Sequence, residues 1–129
     1  MNEKKLILIE DELFLRDLYM TLLQQPGYTV LSAIDGEAGV KLVQDNPDAD
    51  LVLLDIMLPK KHGVEVLKQL KADPTTVNVP IIILSNMTEQ SIIDETLKLG
   101  AKGYLVKVQV SPEQLIEKVK NYLESGQLK

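Results

Sequence analysis

Three short runs of the chain carry no polar residue at all: Leu6-Ile7-Leu8-Ile9, Leu51-Val52-Leu53-Leu54 and Ile81-Ile82-Ile83-Leu84. Aliphatic runs of that length, each closed by a polar side chain, predict strands buried on both faces. Two further runs, Tyr28 to Ala33 and Lys102 to Lys107, mix polar with apolar residues and predict strands at a sheet edge. The third strand is expected to run from Leu51 to Asp55 and stop there, because Pro59 cannot continue a ladder; the fourth opens after Pro80 and ends at Ser85.

Between the strands the apolar spacing changes to that of helices. From Glu12 to Gln25, Phe14, Leu18 and Leu22 fall four apart with Leu15 beside them, and Pro26-Gly27 stops the segment. Asp35-Gly36-Glu37 begins a second helix, with Ala38, Leu42 and Val43 as its apolar face and Asn46-Pro47-Asp48 as its breaker. After Gly63, Val64, Leu67, Leu70 and Lys71 continue a third helical pattern to Asp73-Pro74. Thr88 to Leu99 forms a fourth, with Ile93 and Leu97 on one face and Gly100 as its C-cap. Ser111 caps a fifth that has Pro112 at its first position and buries Leu115, Val119, Tyr122 and Leu123.

Five strands alternating with five helices predict an α/β fold, a doubly wound five-stranded parallel sheet with helices on both faces. Placing the two mixed strands at the edges gives the order 2-1-3-4-5, the flavodoxin-like arrangement. Ligands in such sheets sit beyond the carboxyl ends of the strands, at the switch point between strands one and three.

Composition narrows the classes. A chain of 129 residues, 45% hydrophobic and 26% charged, suits a single globular domain, 1–129, with a core from about 4 to 123 and a short tail at 124–129. Without cysteine there is neither disulfide nor thiolate chemistry. A net charge of -5 argues against direct nucleic-acid binding, which needs clustered Lys and Arg to meet the phosphates. The run Leu6 to Ile9 is too short for a signal peptide, and no run approaches the ~18 apolar residues of a membrane span. A cytoplasmic location without membrane attachment is the expectation.

The predicted carboxyl ends carry the chemistry. Strand one delivers Glu10 and Asp11, strand three Asp55, strand four Ser85 and strand five Lys107. At ~5 Å and an effective dielectric of 20, each carboxylate pair costs roughly 3 kcal/mol, so the site needs cations. Lys107 is one; a hard divalent ion such as Mg²⁺, held by carboxylates and water, suits the rest. A metal and an ammonium together stabilise a phosphoryl group in transfer to a carboxylate nucleophile, here Asp55, with Ser85 as a hydrogen-bond donor.

In this ordered set the chain resembles a response-regulator receiver domain of the chemotaxis-regulator type, a part of two-component signalling. The carriers are Glu10-Asp11, Asp55-Ile56-Met57-Leu58-Pro59 with Gly63, Ile83-Leu84-Ser85, and Gly103-Tyr104-Leu105-Val106-Lys107. The resemblance implies that Asp55 accepts a phosphoryl group from the phosphohistidine of a sensor histidine kinase or histidine phosphotransfer protein, or from a small phosphodonor. It also implies Mg²⁺ on Asp11, Asp55 and the Met57 carbonyl, with Glu10 acting through water. Ser85 and Tyr104 would form the switch, altering the surface around helix four, strand five and helix five for a target protein or an output domain. Any catalysis would be confined to the chain's own aspartyl phosphorylation and dephosphorylation; no metabolic enzyme is implied.

Three positions depart from the family. Val108 follows Lys107 where proline and a cis bond are usual; a cis bond without proline costs ~3 kcal/mol, which leaves open a trans peptide and a poorer aim for Lys107. Asn86 stands where the family has alanine or glycine, and either crowds the site or donates another hydrogen bond. Met57 and Met87 occupy variable positions beside the path of the hydrolytic water and are expected, with Asn86, to tune the lifetime of the phosphoryl group. Two other classes compete: a pseudo-receiver that binds partners without phosphorylation, and a flavodoxin-like flavin carrier or enzyme. The Glu10-Asp11-Glu12 loop would repel a cofactor phosphate, and an aspartyl hydrolase would want a second aspartate where Met57 stands.

Overall fold

In a computed structural model that describes residues 3–128, the five runs pair into one parallel sheet. The strands β1 (Lys5–Ile9), β2 (Thr29–Ala33), β3 (Leu51–Leu54), β4 (Ile81–Ser85) and β5 (Gly103–Val106) lie in the order β2-β1-β3-β4-β5. Across the central pairs Leu8 is in register with Leu53 and Leu53 with Ile82. The connections are the helices α1 (Leu13–Gln24), α2 (Gly36–Asp45), α3 (Gly63–Ala72), α4 (Gln90–Lys98) and α5 (Pro112–Ser125). This is the doubly wound, flavodoxin-like arrangement that the strand runs predict.

Side-chain alternation explains why the central runs are unbroken. Ile7, Ile9, Val52, Leu54, Ile81 and Ile83 point into one core with Val40, Val43, Val64 and Leu67 of α2 and α3. Leu6, Leu8, Leu51, Leu53, Ile82 and Leu84 point into the other with Tyr19, Leu23, Leu115 and Val119 of α1 and α5. Each such aliphatic side chain, removed from water, contributes roughly 1.5–3 kcal/mol, so the sheet is rigid where its carboxyl ends present the polar residues.

Three helix faces differ from the sequence expectation. In α1 the inward row is Leu15, Tyr19 and Leu23, while Phe14 is 71% exposed and Leu18 and Leu22 are half-buried. Both rows have a four-residue spacing, and packing against β2 and α5 selects the one that includes Tyr19. In α2 the buried residues are Gly36, Gly39, Val40 and Val43, leaving Ala38 exposed and Leu42 half-buried. In α4 the buried residue is Thr96; its hydroxyl donates to the Ile93 carbonyl at 2.8 Å and so enters the core without an unmet hydrogen bond, and Leu97 turns to solvent.

The last helix carries the expected cap, with the Ser111 hydroxyl accepting from the Gln114 amide at 3.1 Å and the Gln114 side chain accepting from the Ser111 amide at 2.8 Å. It runs beyond residue 123 to Ser125 and ends at Gly126, after which Leu128 folds back against Gly103 at the start of β5. Met1, Asn2 and Lys129, the ends of the expected 1–129 range, lie outside the described residues.

Candidate functional site

Asp55 follows the last residue of β3, and its amide donates to the Ile9 carbonyl at 3.1 Å, so the ladder fixes its backbone against β1. The carboxylate is 6% exposed and both oxygens are engaged. Oδ1 accepts from the Ile56 amide at 2.7 Å and the Met57 amide at 3.4 Å; Oδ2 accepts from Lys107 Nζ at 2.6 Å. The loop beyond is tied by the Gly63 amide to the Ile56 carbonyl at 2.8 Å and by the Gly36 amide to the Pro59 carbonyl at 3.1 Å. A methyl group on Gly63 would lie 2.6 Å from Ile56 Cα and would also collide with the Asp55 carbonyl, so only glycine lets α3 start this close to the site.

From β1 comes a second buried carboxylate. Glu10 is 1% exposed; Oε1 lies 2.6 Å from Lys107 Nζ and Oε2 accepts from the Glu12 amide at 3.0 Å. Burial pushes the Glu10 carboxyl above its usual range, against the lowering effect of Lys107 and the Glu12 amide. For Lys107 burial alone would lower the ammonium's pKa, but the hydrogen bonds and charges of Asp55 and Glu10 outweigh it and the net direction is upward. Asp11 is exposed, and oxygens of Glu10, Asp11 and Asp55 lie within 4.8 Å of one another.

The ends of β4 and β5 close the other side. Ser85 is 1% exposed and its Oγ accepts from the Met87 amide at 3.3 Å. Tyr104, half-buried on β5, donates its hydroxyl to the Met87 carbonyl at 2.6 Å. Burial holds the Tyr104 phenol above its ordinary range, so it stays a donor. The backbone of Met87 thus joins Ser85 to Tyr104.

Lys107 begins a single 3-10 turn, Lys107–Gln109, just past β5. No peptide is cis among the described residues, and Lys107 nonetheless meets both carboxylates at 2.6 Å, which corrects the expectation of a poorer aim. Among the described residues Asn86 donates no hydrogen bond to the carboxylates; its Oδ1 accepts from the Val108 amide at 3.0 Å.

Glu10, Asp11, Asp55, Ser85, Asn86 and Lys107 therefore line one cleft of about 500 Å³, with Met57 and Met87 at its margin. Met57 is 59% exposed and Met87 half-buried. Three carboxylates against one ammonium leave an excess of two negative charges on hard oxygen donors, a donor set that fits Mg²⁺. A second groove of about 370 Å³ beside β2 and α2 is lined mainly by apolar side chains, with Lys41 and Asp45 at its edge, and brings no set of reactive groups together.

Three features of the cleft had no signal in the sequence pattern. The amides of Ile56 and Met57 on Asp55 arise from loop geometry. Leu15 lines the cleft, although the spacing marked it only as part of an apolar helix face. The Asn86 to Val108 bond joins residues 22 positions apart that belong to no common motif.

Comparison with known proteins bears on the family and the fold. The sequence profile of the family described as "Response regulator receiver domain" matches residues 6–120. The phosphate regulon transcriptional regulatory protein PhoB of Pseudomonas aeruginosa is 33% identical over 120 residues, which cover 93% of this chain and 52% of that protein. The chain spans about half the length of the curated relatives it matches. Among solved structures, a CheY-like response regulator receiver domain protein from Methanospirillum hungatei superposes with a TM-score of 0.85 at 26% identity, covering 95% of each chain. The phosphorylated cyanobacterial phytochrome response regulator RcpA superposes with a TM-score of 0.81 at 27% identity, covering 97% of this chain and 96% of that one.

Proposed function

The chain belongs to the response regulator receiver domain family, and from that premise we propose that it is a phosphorylation-driven switch in two-component signalling, with Asp55 as the phosphoryl acceptor. The observation that carries the reading is the environment of one carboxylate. Asp55 is buried at the mouth of the sheet, with Oδ1 fixed by two backbone amides and Oδ2 held by the Lys107 ammonium. A nucleophile so restrained is already oriented, and catalysis of phosphoryl transfer is mostly orientation and charge stabilisation.

In the reaction an Asp55 oxygen attacks phosphorus in line, the P–N bond of the donor's phosphohistidine breaks, and the imidazole leaves with its electron pair and takes up a proton. Asp55 then carries an acyl phosphate. Lys107 offsets the charge on the phosphoryl oxygens. Asp11, Asp55 and the Met57 carbonyl, with Glu10 behind them, would hold Mg²⁺, which would supply positive charge against the remaining negative charge of the site. The Met57 and Met87 side chains exclude water from the acyl phosphate and lengthen its lifetime.

The readout follows from the Met87 backbone. When Ser85 turns its hydroxyl to donate to a phosphoryl oxygen, the Met87 amide loses its acceptor, and the Met87 carbonyl that anchors Tyr104 shifts with it. Tyr104 transmits the change to the surface of α4, β5 and α5, where a target protein or an output domain docks. The upstream partner is a sensor histidine kinase or a histidine phosphotransfer protein. Incubation with acetyl phosphate, with and without Mg²⁺, followed by intact-mass measurement tests the reading. A gain of one phosphoryl group that requires Mg²⁺ supports it, and no gain overturns it.

A further inference from the structure

The Lys107 side chain is long and flexible, yet its ammonium sits 2.6 Å from carboxylates on two different strands. A lysine loses conformational entropy when held this way, so its backbone must be well placed. Packing and pairing hold this turn only at its two ends, through Val106 in the β5 ladder and Val110 against one core. Lys107 lies outside the β5 ladder, Val108 is 80% exposed, and Gln109 is exposed. The 3-10 turn itself is closed only by a long bond of 3.4 Å from the Val110 amide to the Lys107 carbonyl.

Between those ends a hydrogen bond from the turn's own backbone reaches the end of β4: the Val108 amide donates to Asn86 Oδ1 at 3.0 Å. Asn86 directly follows Ser85, the last residue of β4, so it is anchored to the rigid sheet. Val108 directly follows Lys107, so the bond acts on the peptide whose orientation sets where the lysine side chain leaves the backbone. A proline at 108 would have no N–H to give, and a residue without a side-chain acceptor at 86 could not receive it.

We propose that Asn86 is a positioning residue: through the Val108 amide it clamps the turn at Lys107 and aims the ammonium at Asp55 and Glu10 with an all-trans backbone. The consequence for phosphoryl transfer rests on the function proposed for Asp55; the clamp itself does not. Among the described residues Asn86 makes no hydrogen bond to Asp55, Glu10 or Lys107, and its effect runs through the Lys107 backbone.

Two measurements on the intact chain test this separately. The ¹⁵N–¹H signal of the Lys107 ammonium, visible when exchange with water is slowed by ion pairing, is expected in the wild type and to broaden beyond detection in Asn86→Ala. A sharp signal in both would overturn the clamp whether or not the protein is phosphorylated. The rate of Mg²⁺-dependent phosphorylation by phosphoramidate is expected to fall about fivefold in Asn86→Ala, the weight of one hydrogen bond. The same substitution in a Lys107→Ala background is expected to change nothing further. An equal loss in both backgrounds, or none in the first, overturns the proposal. A wild type that accepts no phosphoryl group refutes the function of Asp55, and the ammonium signal still decides the clamp.

Discussion

Lys107 Nζ lies 2.6 Å from Asp55 Oδ2, a contact made across 52 positions of sequence between two side chains that are each less than a tenth exposed. The same ammonium meets Glu10, so it is the shared counter-charge of two buried carboxylates. Its removal strands both. Lys107→Ala is expected to lose about 3 kcal/mol in urea unfolding without divalent ions, and to recover part of that loss in saturating Mg²⁺. A variant as stable as the wild type in chelator would show that the triad does not hold charge as described.

Gly63 is the backbone counterpart of that pair. With a methyl group 2.6 Å from Ile56 Cα and against the Asp55 carbonyl, Gly63→Ala must push α3 away from the site or move the loop carrying Asp55. A loss of about 2 kcal/mol or more is expected, together with a weaker response to Mg²⁺. Unchanged unfolding and unchanged metal response would contradict the close approach.

The pH dependence of Glu10 has a definite sign. Its folded pKa is raised by burial, so the folded chain takes up this proton more readily than the unfolded chain, and ionisation costs stability once pH rises through the folded value. Glu10→Gln, which keeps the shape without the charge, is expected to be more stable than the wild type at neutral pH in chelator. That advantage shrinks as pH falls through the raised pKa and vanishes below the ordinary carboxylate value. An advantage independent of pH would mean that the substitution acts through something other than this proton.

Much of this arrangement was legible in the sequence. The unbroken runs Leu6 to Ile9, Leu51 to Leu54 and Ile81 to Leu84 identify the central strands because only residues buried on both faces dispense with polar alternation. The strand ends then bring Glu10, Asp55, Ser85 and Lys107 together without further information. Helix faces were less legible. Phe14-Leu18-Leu22 and Leu15-Tyr19-Leu23 satisfy the same spacing, and only tertiary packing separates them. Thr96 reads as polar, but its hydroxyl is spent within the helix and so it can enter the core. The bond between Asn86 and Val108 is set by loop geometry, which no periodicity reports.

Met57 and Met87 border the cleft, one exposed at the rim and one packed inward. Replacing both with polar residues such as asparagine admits and orients water near the acyl phosphate. Dephosphorylation, followed by loss of the phosphoryl mass after donor removal, is expected to accelerate about tenfold, less than the roughly 100-fold or more of a fully positioned general base. An unchanged rate would remove the methionines from any role in lifetime.

The acceptor itself is the most direct test. Wild type and Asp55→Asn are treated with acetyl phosphate and Mg²⁺ and their intact masses compared. The expected result is one phosphoryl group on the wild type and none on the variant, whose amide is not a nucleophile. An equal gain on both chains, or no gain on either, would contradict the assignment of Asp55.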